Sequence, residues 1–414
     1  MTDPEPAGLP ARRAALRLLD AVLRRGETLE QAGGAMRGLP GEDRALALAI
    51  AGESLRWLTD LDALVDSATR LALAPDAKPR SVLRLMLAQA LRLGTPPHAV
   101  LATALPLLSG GPRRLAHGVF STLLKRGAAL PQAPTLPPAV GARWAKAWPD
   151  RVDAIAAALR EPPPLDLRLR DEAETPRWCE QLEGISLMPG HVRVPRGRAV
   201  EALPGFAEGG WWVQDLAASI PARLLGPGEG RRALDLCAAP GGKTMQLAAA
   251  GWRVTALDKS ARRLELLRSN IRRTRLEAEI VEADALGWDD GRKFAAILLD
   301  APCTATGTCR RHPDVLHRIA AQQIAEMAEL QATILAHARA LLAPGGTLVF
   351  ATCSLEPEEG EQLAKTIKLA PLPIRAGELP AGLTLSPQGW LRTDPGMLAG
   401  EGGLDGFFVA RWRG

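Results

Sequence analysis

The chain has 414 residues, of which 47% are hydrophobic and 23% charged, so a disordered or fibrous chain is excluded and two or three domains are expected. Five cysteines, an odd number without CxxC spacing, argue against a disulfide framework and a zinc site; no metal is predicted, and free thiols fit a cytoplasmic protein. The net charge of +5 lies wholly in residues 1–135, which hold 17 basic and 12 acidic residues, while the remainder holds 34 of each.

The opening "MTDPEPAGLP" lacks the basic start and apolar core of a signal peptide. The apolar stretch from His98 to Pro112 is too short to span a bilayer, so the protein is expected to be soluble and to have no membrane partner. From Ala11 to about Ala128 the apolar spacing is helical, as in "ARRAALRLLDAVLRR" and "SVLRLMLAQALRLG", and predicts an all-α bundle over residues 1–135. Residues 77–149 contain no acid and ten bases. With acids at about one residue in nine over the whole chain, this run points to an anionic partner, nucleic acid above all. Arg80, Arg84, Arg113, Arg114, Lys125 and Arg126 are its candidate RNA contacts.

Residues 136–210, Pro-rich around a helix predicted over 141–159, read as a linker and an N-terminal extension of the next domain. From residue 211 to 414, short apolar runs ("ALDLCA", "RVTALD", "AEIVEAD", "FAAILLD", "GTLVFATCS") alternate with helical stretches. That alternation predicts an α/β domain with a mainly parallel, Rossmann-like sheet.

The stretch "LDLCAAPGGKT" resembles a phosphate-binding loop only in its last residues. A P-loop needs a glycine where Cys237 stands, so a triphosphate site is not expected. What remains is a strand, a tight turn (Cys237, Ala238, Ala239, Pro240, Gly241) and a helix opening at Gly242 or Lys243, with backbone N–H groups suited to an anionic group such as a carboxylate. Asp258 ends the next strand, where doubly wound folds bind a ribose diol, and Asp284 ends the third, where it can receive an adenine amino group. This layout suits S-adenosylmethionine, with NAD(P) or a phosphate ligand as alternatives.

"LLDAPCTATG" sets Asp300 and Cys303 just past the fourth strand, and "VFATCSLEPEE" sets Cys353 just past the fifth, so both thiols should open onto one crevice. Cytosine C5 accepts a methyl group once a thiolate has added to C6; a nucleophile, an acid for the N3/N4 edge and a releasing group would suffice. Cys353, Asp300 and Cys303 can fill those roles.

At "WVQDLAA", "LDLCAAPGGKT", "LLDAPCTATGTCRRHPD", "GGTLVFATCSLEPEEGE" and "DGFFVARW" the sequence resembles the Sun/Fmu family of RNA (cytosine-C5)-methyltransferases. The resemblance implies that Cys237 to Lys243, Asp258, Asp284 and Asp300 bind or flank S-adenosylmethionine, that Cys353 is the nucleophile and that Cys303 helps release the product. Lys243 is expected to lower the pKa of a nearby thiol. The helical third resembles a NusB-like RNA-binding bundle, and that order of domains implies 16S rRNA as substrate; a monomer is expected. The same reaction on tRNA or 23S rRNA, and a non-catalytic NusB-like RNA-binding protein, are the alternatives. Ala305 and Arg170 depart from the family pattern, which has Gly and Asn there, and Cys309 is an extra thiol. Arg310, Arg311 and His312 are expected to contact phosphates, Asp215 to cap a helix or touch the cofactor, and Trp211 and Trp212 to pack or stack.

Overall fold

The computed structural model describes residues 6–414, so the first five residues of the acidic opening stretch lie outside the described residues. The chain divides into two compact units. One runs to Glu161 and takes in Cys309–Ile319; the other comprises Pro162–Thr308 and Ala320–Gly414.

The first unit is helical: α1 (Leu9–Arg25), α2 (Gly41–Arg56), α3 (Leu58–Ser67), α4 (Lys78–Leu91), α5 (Pro97–Ala104), α6 (Gly110–Lys125), α7 (Pro138–Ala147) and α8 (Val152–Ala158). α4 is buried on every side from Arg80 to Gln89, which makes it the central helix. Around it pack Leu18, Leu19 and Val22 of α1, Ile50 and Leu55 of α2, and Val119 and Phe120 of α6. The helix predicted over 141–159 is two, interrupted at Trp148-Pro149, where proline cannot donate to a continuing helix. Both group with the bundle, so the unit extends to Glu161 where the sequence suggests an end at 135. Arg56 on α2 helps hold this extension by donating to the Leu159 carbonyl at 2.9 Å.

The second unit opens with β1 (Leu165–Leu169), α9 (Thr175–Leu182), β2 (His191–Val194) and β3 (Trp211–Val213), a small antiparallel sheet in the order β2-β1-β3. The residues read as linker and extension are thus largely ordered structure. Next come α10 (Leu216–Arg223), β4 (Arg232–Leu236), α11 (Gly242–Ala249), β5 (Arg253–Asp258), α12 (Ala261–Thr274), β6 (Glu279–Glu282) and β7 (Phe294–Asp300). α13 (Val315–Arg318) lies in the segment that returns to the first unit. α14 (Ala321–Leu341), β8 (Leu342–Thr352), α15 (Glu361–Ala364), β9 (Ala370–Pro371), β10 (Leu391–Arg392) and β11 (Phe408–Arg413) complete the chain.

Among the described residues the main sheet has the order β10-β11-β8-β7-β4-β5-β6, with β9 beside β11. Strands β4 to β8 are parallel and β11 is antiparallel to β8, as the Rossmann-like expectation requires. Alternate residues face opposite layers. Ala233, Ala296 and Leu298 pack with Leu216, Ile220 and Leu247 of α10 and α11, while Leu234, Leu236, Ile297 and Leu299 pack with Ile334, Leu335 and Ala338 of α14. Burial on both faces explains why these strands read as unbroken apolar runs. The chain crosses from β4 to β5 on one side and reaches β7 on the other, which opens a crevice at their carboxyl ends.

After β8 the chain forms only a 3-10 turn, Pro357–Glu359, and the single-turn α15. Gly360 between them sits against Phe408, where a Cβ would come 2.9 Å from the ring.

Candidate active site

A cavity of about 350 Å³ fills that crevice. It is lined by Cys237 after β4, Asp258 and Lys259 after β5, Asp284 after β6, Asp300 and Cys303 after β7, and Cys353 after β8. Five strand ends therefore converge on one space, within the volume range of ligand pockets.

The turn after β4 is built as the sequence predicts. α11 starts at Gly242, and Gly241, at φ 103°, lies against Leu267, whose Cγ would be 2.9 Å from an added Cβ. Cys237 also adopts a left-handed conformation, at φ 62°. Asp258 pins the turn from the side: Oδ2 accepts from Ala239 N at 3.1 Å and Oδ1 from Ser260 N at 2.9 Å. Arg263 reaches the same carboxylate at 3.4 Å and donates to the Ala239 carbonyl. Asp284 accepts from Leu286 N at 3.0 Å.

Lys243 points to a carboxylate. Its Nζ is 2.7 Å from Asp300 Oδ2 and 5.3 Å from the centre of the Phe407 ring. The expectation that it lowers a thiol pKa is corrected for two of the cysteines. The Cys237 thiol is pushed up to about 12, by burial first and then by the Asp258 carboxylate. The Cys303 thiol is raised by its hydrogen bond to Cys353 and by burial.

Cys303 and Cys353 do meet, with their sulfurs 3.4 Å apart. Gly307 makes this approach possible: its N–H donates to the Cys353 carbonyl at 3.0 Å, and its carbonyl accepts from Gly406 N at 2.8 Å. A Cβ there would lie 2.0 Å from the Gly406 oxygen, so the loops leave no room for a side chain. Ala305 carries φ 57°, which explains why glycine suits that position. Glu359, Gln331 and Phe407 are the site neighbours that motif reading missed: Glu359 and Phe407 stand inside matched segments that gave them no role, and Gln331 comes from α14, outside every matched segment.

Asp235, in β4 below the turn, is fully buried, and burial pushes its carboxyl up to about 7. Thr244 Oγ1 donates to its Oδ2 at 2.6 Å. A carboxyl whose pKa rises on folding stabilises the fold below its unfolded pKa of about 4, and this contribution is lost as pH rises through about 7. Asp235→Asn keeps an acceptor for Thr244. In denaturant titrations, its stability relative to wild type should therefore increase by on the order of 4 kcal/mol between about pH 4 and about pH 8. A pH-independent difference would assign the titration to another group.

The remaining candidates divide. Asp215 caps α10, accepting from Ala217 N at 2.9 Å, and Trp211 and Trp212 are buried packing residues. Arg113, Arg114, Lys125 and Arg126 are exposed on α6 and at its end. Arg80 and Arg84 are buried, and their guanidinium groups bind Asp62 and Asp66 of α3, so as surface RNA contacts they are corrected. An acid-free stretch of sequence is not an acid-free surface when a preceding helix supplies the carboxylates. Arg310 is also buried, in the segment that returns to the bundle, where its carbonyl accepts from Arg56 at 2.8 Å. Arg311 is exposed. No group of His, Cys, Asp and Glu suited to a metal occurs among the described residues, and no helix among them is long and apolar enough to cross a membrane.

Two family models match the chain: NusB over residues 9–109 and 16S rRNA methyltransferase RsmB/F over residues 222–413. A protein named ribosomal RNA small subunit methyltransferase B, from Pseudomonas putida, is 35% identical over 97% of each chain. Its namesake in Pseudomonas syringae is 35% identical over 89% of each. The crystal structure of PH0851, 20% identical and covering 99% of each chain at a TM-score of 0.75, shares the fold. A methyltransferase homolog from Pyrococcus horikoshii, 26% identical, covers 66% of this chain and 93% of its own at a TM-score of 0.56. A cysteine pair and a glycine turn at the ends of parallel strands, behind a NusB-matching helical region, thus agree with identity along the whole chain: it belongs to the ribosomal RNA small subunit methyltransferase B (RsmB/Sun) family.

Proposed function

We propose that this protein methylates C5 of a cytosine in 16S rRNA, with S-adenosylmethionine as methyl donor and through a covalent adduct between Cys353 and C6. The observation that carries this reading is the 3.4 Å approach of two thiols at the edge of a cavity lined by Asp258, Asp284 and Asp300. The residues present fit the cofactor. Cys237 brings the turn before α11 to the cavity, the N-terminus of that helix suits a carboxylate, Asp258 is placed for a ribose diol, and Leu257, Ala285 and Leu286 give an apolar lining for a base. When bound, S-adenosylmethionine supplies an electrophilic methyl group.

The chain's own groups do the rest. The Cys353 thiolate adds to C6 and makes C5 nucleophilic. Asp300, oriented by Lys243, takes the N3/N4 edge of the base. Cys303, holding its proton through the bond to Cys353, gives that proton to the departing Cys353 sulfur and accepts the one lost from C5. The product leaves with both thiols protonated, so the C5 proton is accounted for. Bisulfite sequencing of total RNA from a deletion strain should show one 5-methylcytosine missing from 16S rRNA; a loss confined to tRNA or 23S rRNA would reassign the substrate.

The exposed bases of α6 supply the RNA surface in this reading. Arg113→Glu with Arg114→Glu should weaken RNA binding and lower the salt slope by about one unit for each phosphate no longer neutralised. S-adenosylmethionine binding should be unchanged in calorimetry. An unaltered slope would place the RNA elsewhere.

A further inference from the structure

The cysteine loops are 50 residues apart in sequence, and each is anchored by a strand on one side only. Bonds from both loops converge on Glu359, in the 3-10 turn after Cys353. This carboxylate is completely buried, without a salt-bridge partner of its own among the described residues, and four donors converge on it. Oε2 accepts from Thr304 N and from Gln331 Nε2, each at 2.9 Å. Oε1 accepts from Ser354 Oγ at 2.9 Å and from Thr304 Oγ1. The Gln331 amide also donates to the Pro302 carbonyl at 2.8 Å, and Thr352 Oγ1 donates to the Glu359 carbonyl at 3.1 Å.

Pro302 and Thr304 flank Cys303; Thr352 and Ser354 flank Cys353. All four flanking residues are therefore tied to one residue, two through its carboxylate, one through its carbonyl and one through Gln331. We propose that Glu359 is a positioning residue for the proposed reaction, holding both cysteine loops so that the two thiols stay in contact and face the same base. The proposal rests on the cytosine reading for its chemistry but not for its geometry. Thr304, Ser354 and Gln331 all act here as donors, two of them through hydroxyls that can also accept, so the knot depends on a polar group at full side-chain length more than on its charge.

Two variants separate length from charge. Glu359→Asp withdraws the carboxylate by one methylene and cannot reach both loops. Glu359→Gln keeps an oxygen for the Thr304 and Gln331 N–H groups and turns its amide nitrogen to the Thr304 and Ser354 hydroxyls, which can rotate to accept. The full-length variants would be compared with wild type by thermal unfolding, S-adenosylmethionine calorimetry, rRNA methylation kinetics and the rate at which diamide joins Cys303 to Cys353. Diamide takes the two thiol hydrogens and is reduced to its hydrazine, and peptide mass spectrometry identifies the linked pair.

Misplacing reacting groups by about 1 Å can cost about 10²-fold, so Glu359→Asp should lose about 10- to 100-fold both in kcat and in diamide coupling. Its KM for S-adenosylmethionine should stay close to wild type, its unfolding temperature should fall by only the few degrees that an unmet buried donor costs and stay above the assay temperature, and Glu359→Gln should recover most of both rates. Wild-type coupling and kcat in Glu359→Asp would overturn the proposal. So would losses that track unfolding or cofactor affinity, since these would make Glu359 a general fold residue. The coupling assay needs neither RNA nor methyl transfer, so it stands or falls separately from the cytosine reading.

Discussion

Cys353→Ala should abolish methyl transfer, by on the order of 10⁴-fold or more, because it removes the only group assigned to attack C6. Cys303→Ala should also stop turnover, but at a later step, leaving the protein joined to its RNA. The geometry explains the difference. The sulfurs are 3.4 Å apart, so Cys303 can return a proton to Cys353 as the C6 bond breaks. Its thiol pKa is raised by that contact and by burial, which suits a group that holds its proton until release and poorly suits a resting nucleophile. A denaturing gel of each variant with rRNA distinguishes the roles. A trapped complex with Cys353→Ala and none with Cys303→Ala would exchange them.

The second large effect belongs to Asp258. Its two oxygens accept from Ala239 N and Ser260 N, so one carboxylate fixes both the turn before α11 and the start of α12 at the edge of the cavity proposed for the cofactor. Asp258→Asn must turn an N–H₂ toward one of those backbone donors. The unmet donor costs about 1–3 kcal/mol, and a lost charge-assisted bond to the ligand costs about 1.5–3 kcal/mol. The unmet donor weakens free and bound protein alike, so only the lost ligand bond enters the Kd for S-adenosylmethionine, which should rise by on the order of 10- to 10²-fold, measured by calorimetry. Because Asp258 lies outside the thiol pair, diamide coupling of the cysteines should persist. An unchanged Kd would remove Asp258 from the cofactor site.

Motif spacing locates the strand ends well, because in a parallel sheet every ligand-bearing loop comes after an apolar run, at its carboxyl end. Cys237, Asp258, Asp284, Asp300, Cys303 and Cys353 line one cavity for that reason. Charge is less legible. Arg80 and Arg84 lie in an acid-free stretch, yet the preceding helix neutralises them, since a linear count of charge carries no information on which helices face each other. Arg310 reads as part of the DAPC loop from which it runs, but its segment packs with the bundle.

The sequence by itself determined the order of an all-α region and a wound sheet, the glycine turn and the strand-end acids and thiols. These arise from local periodicity, turn chemistry and a topology that puts successive loops on one edge. Only the tertiary structure decided that Lys243 serves Asp300, that Gly307 and Gly406 cross too closely for a side chain, and that Glu359 and Gln331 tie both cysteine loops. Each of these depends on an approach between segments far apart in the chain, whose distance is fixed by packing and not by spacing.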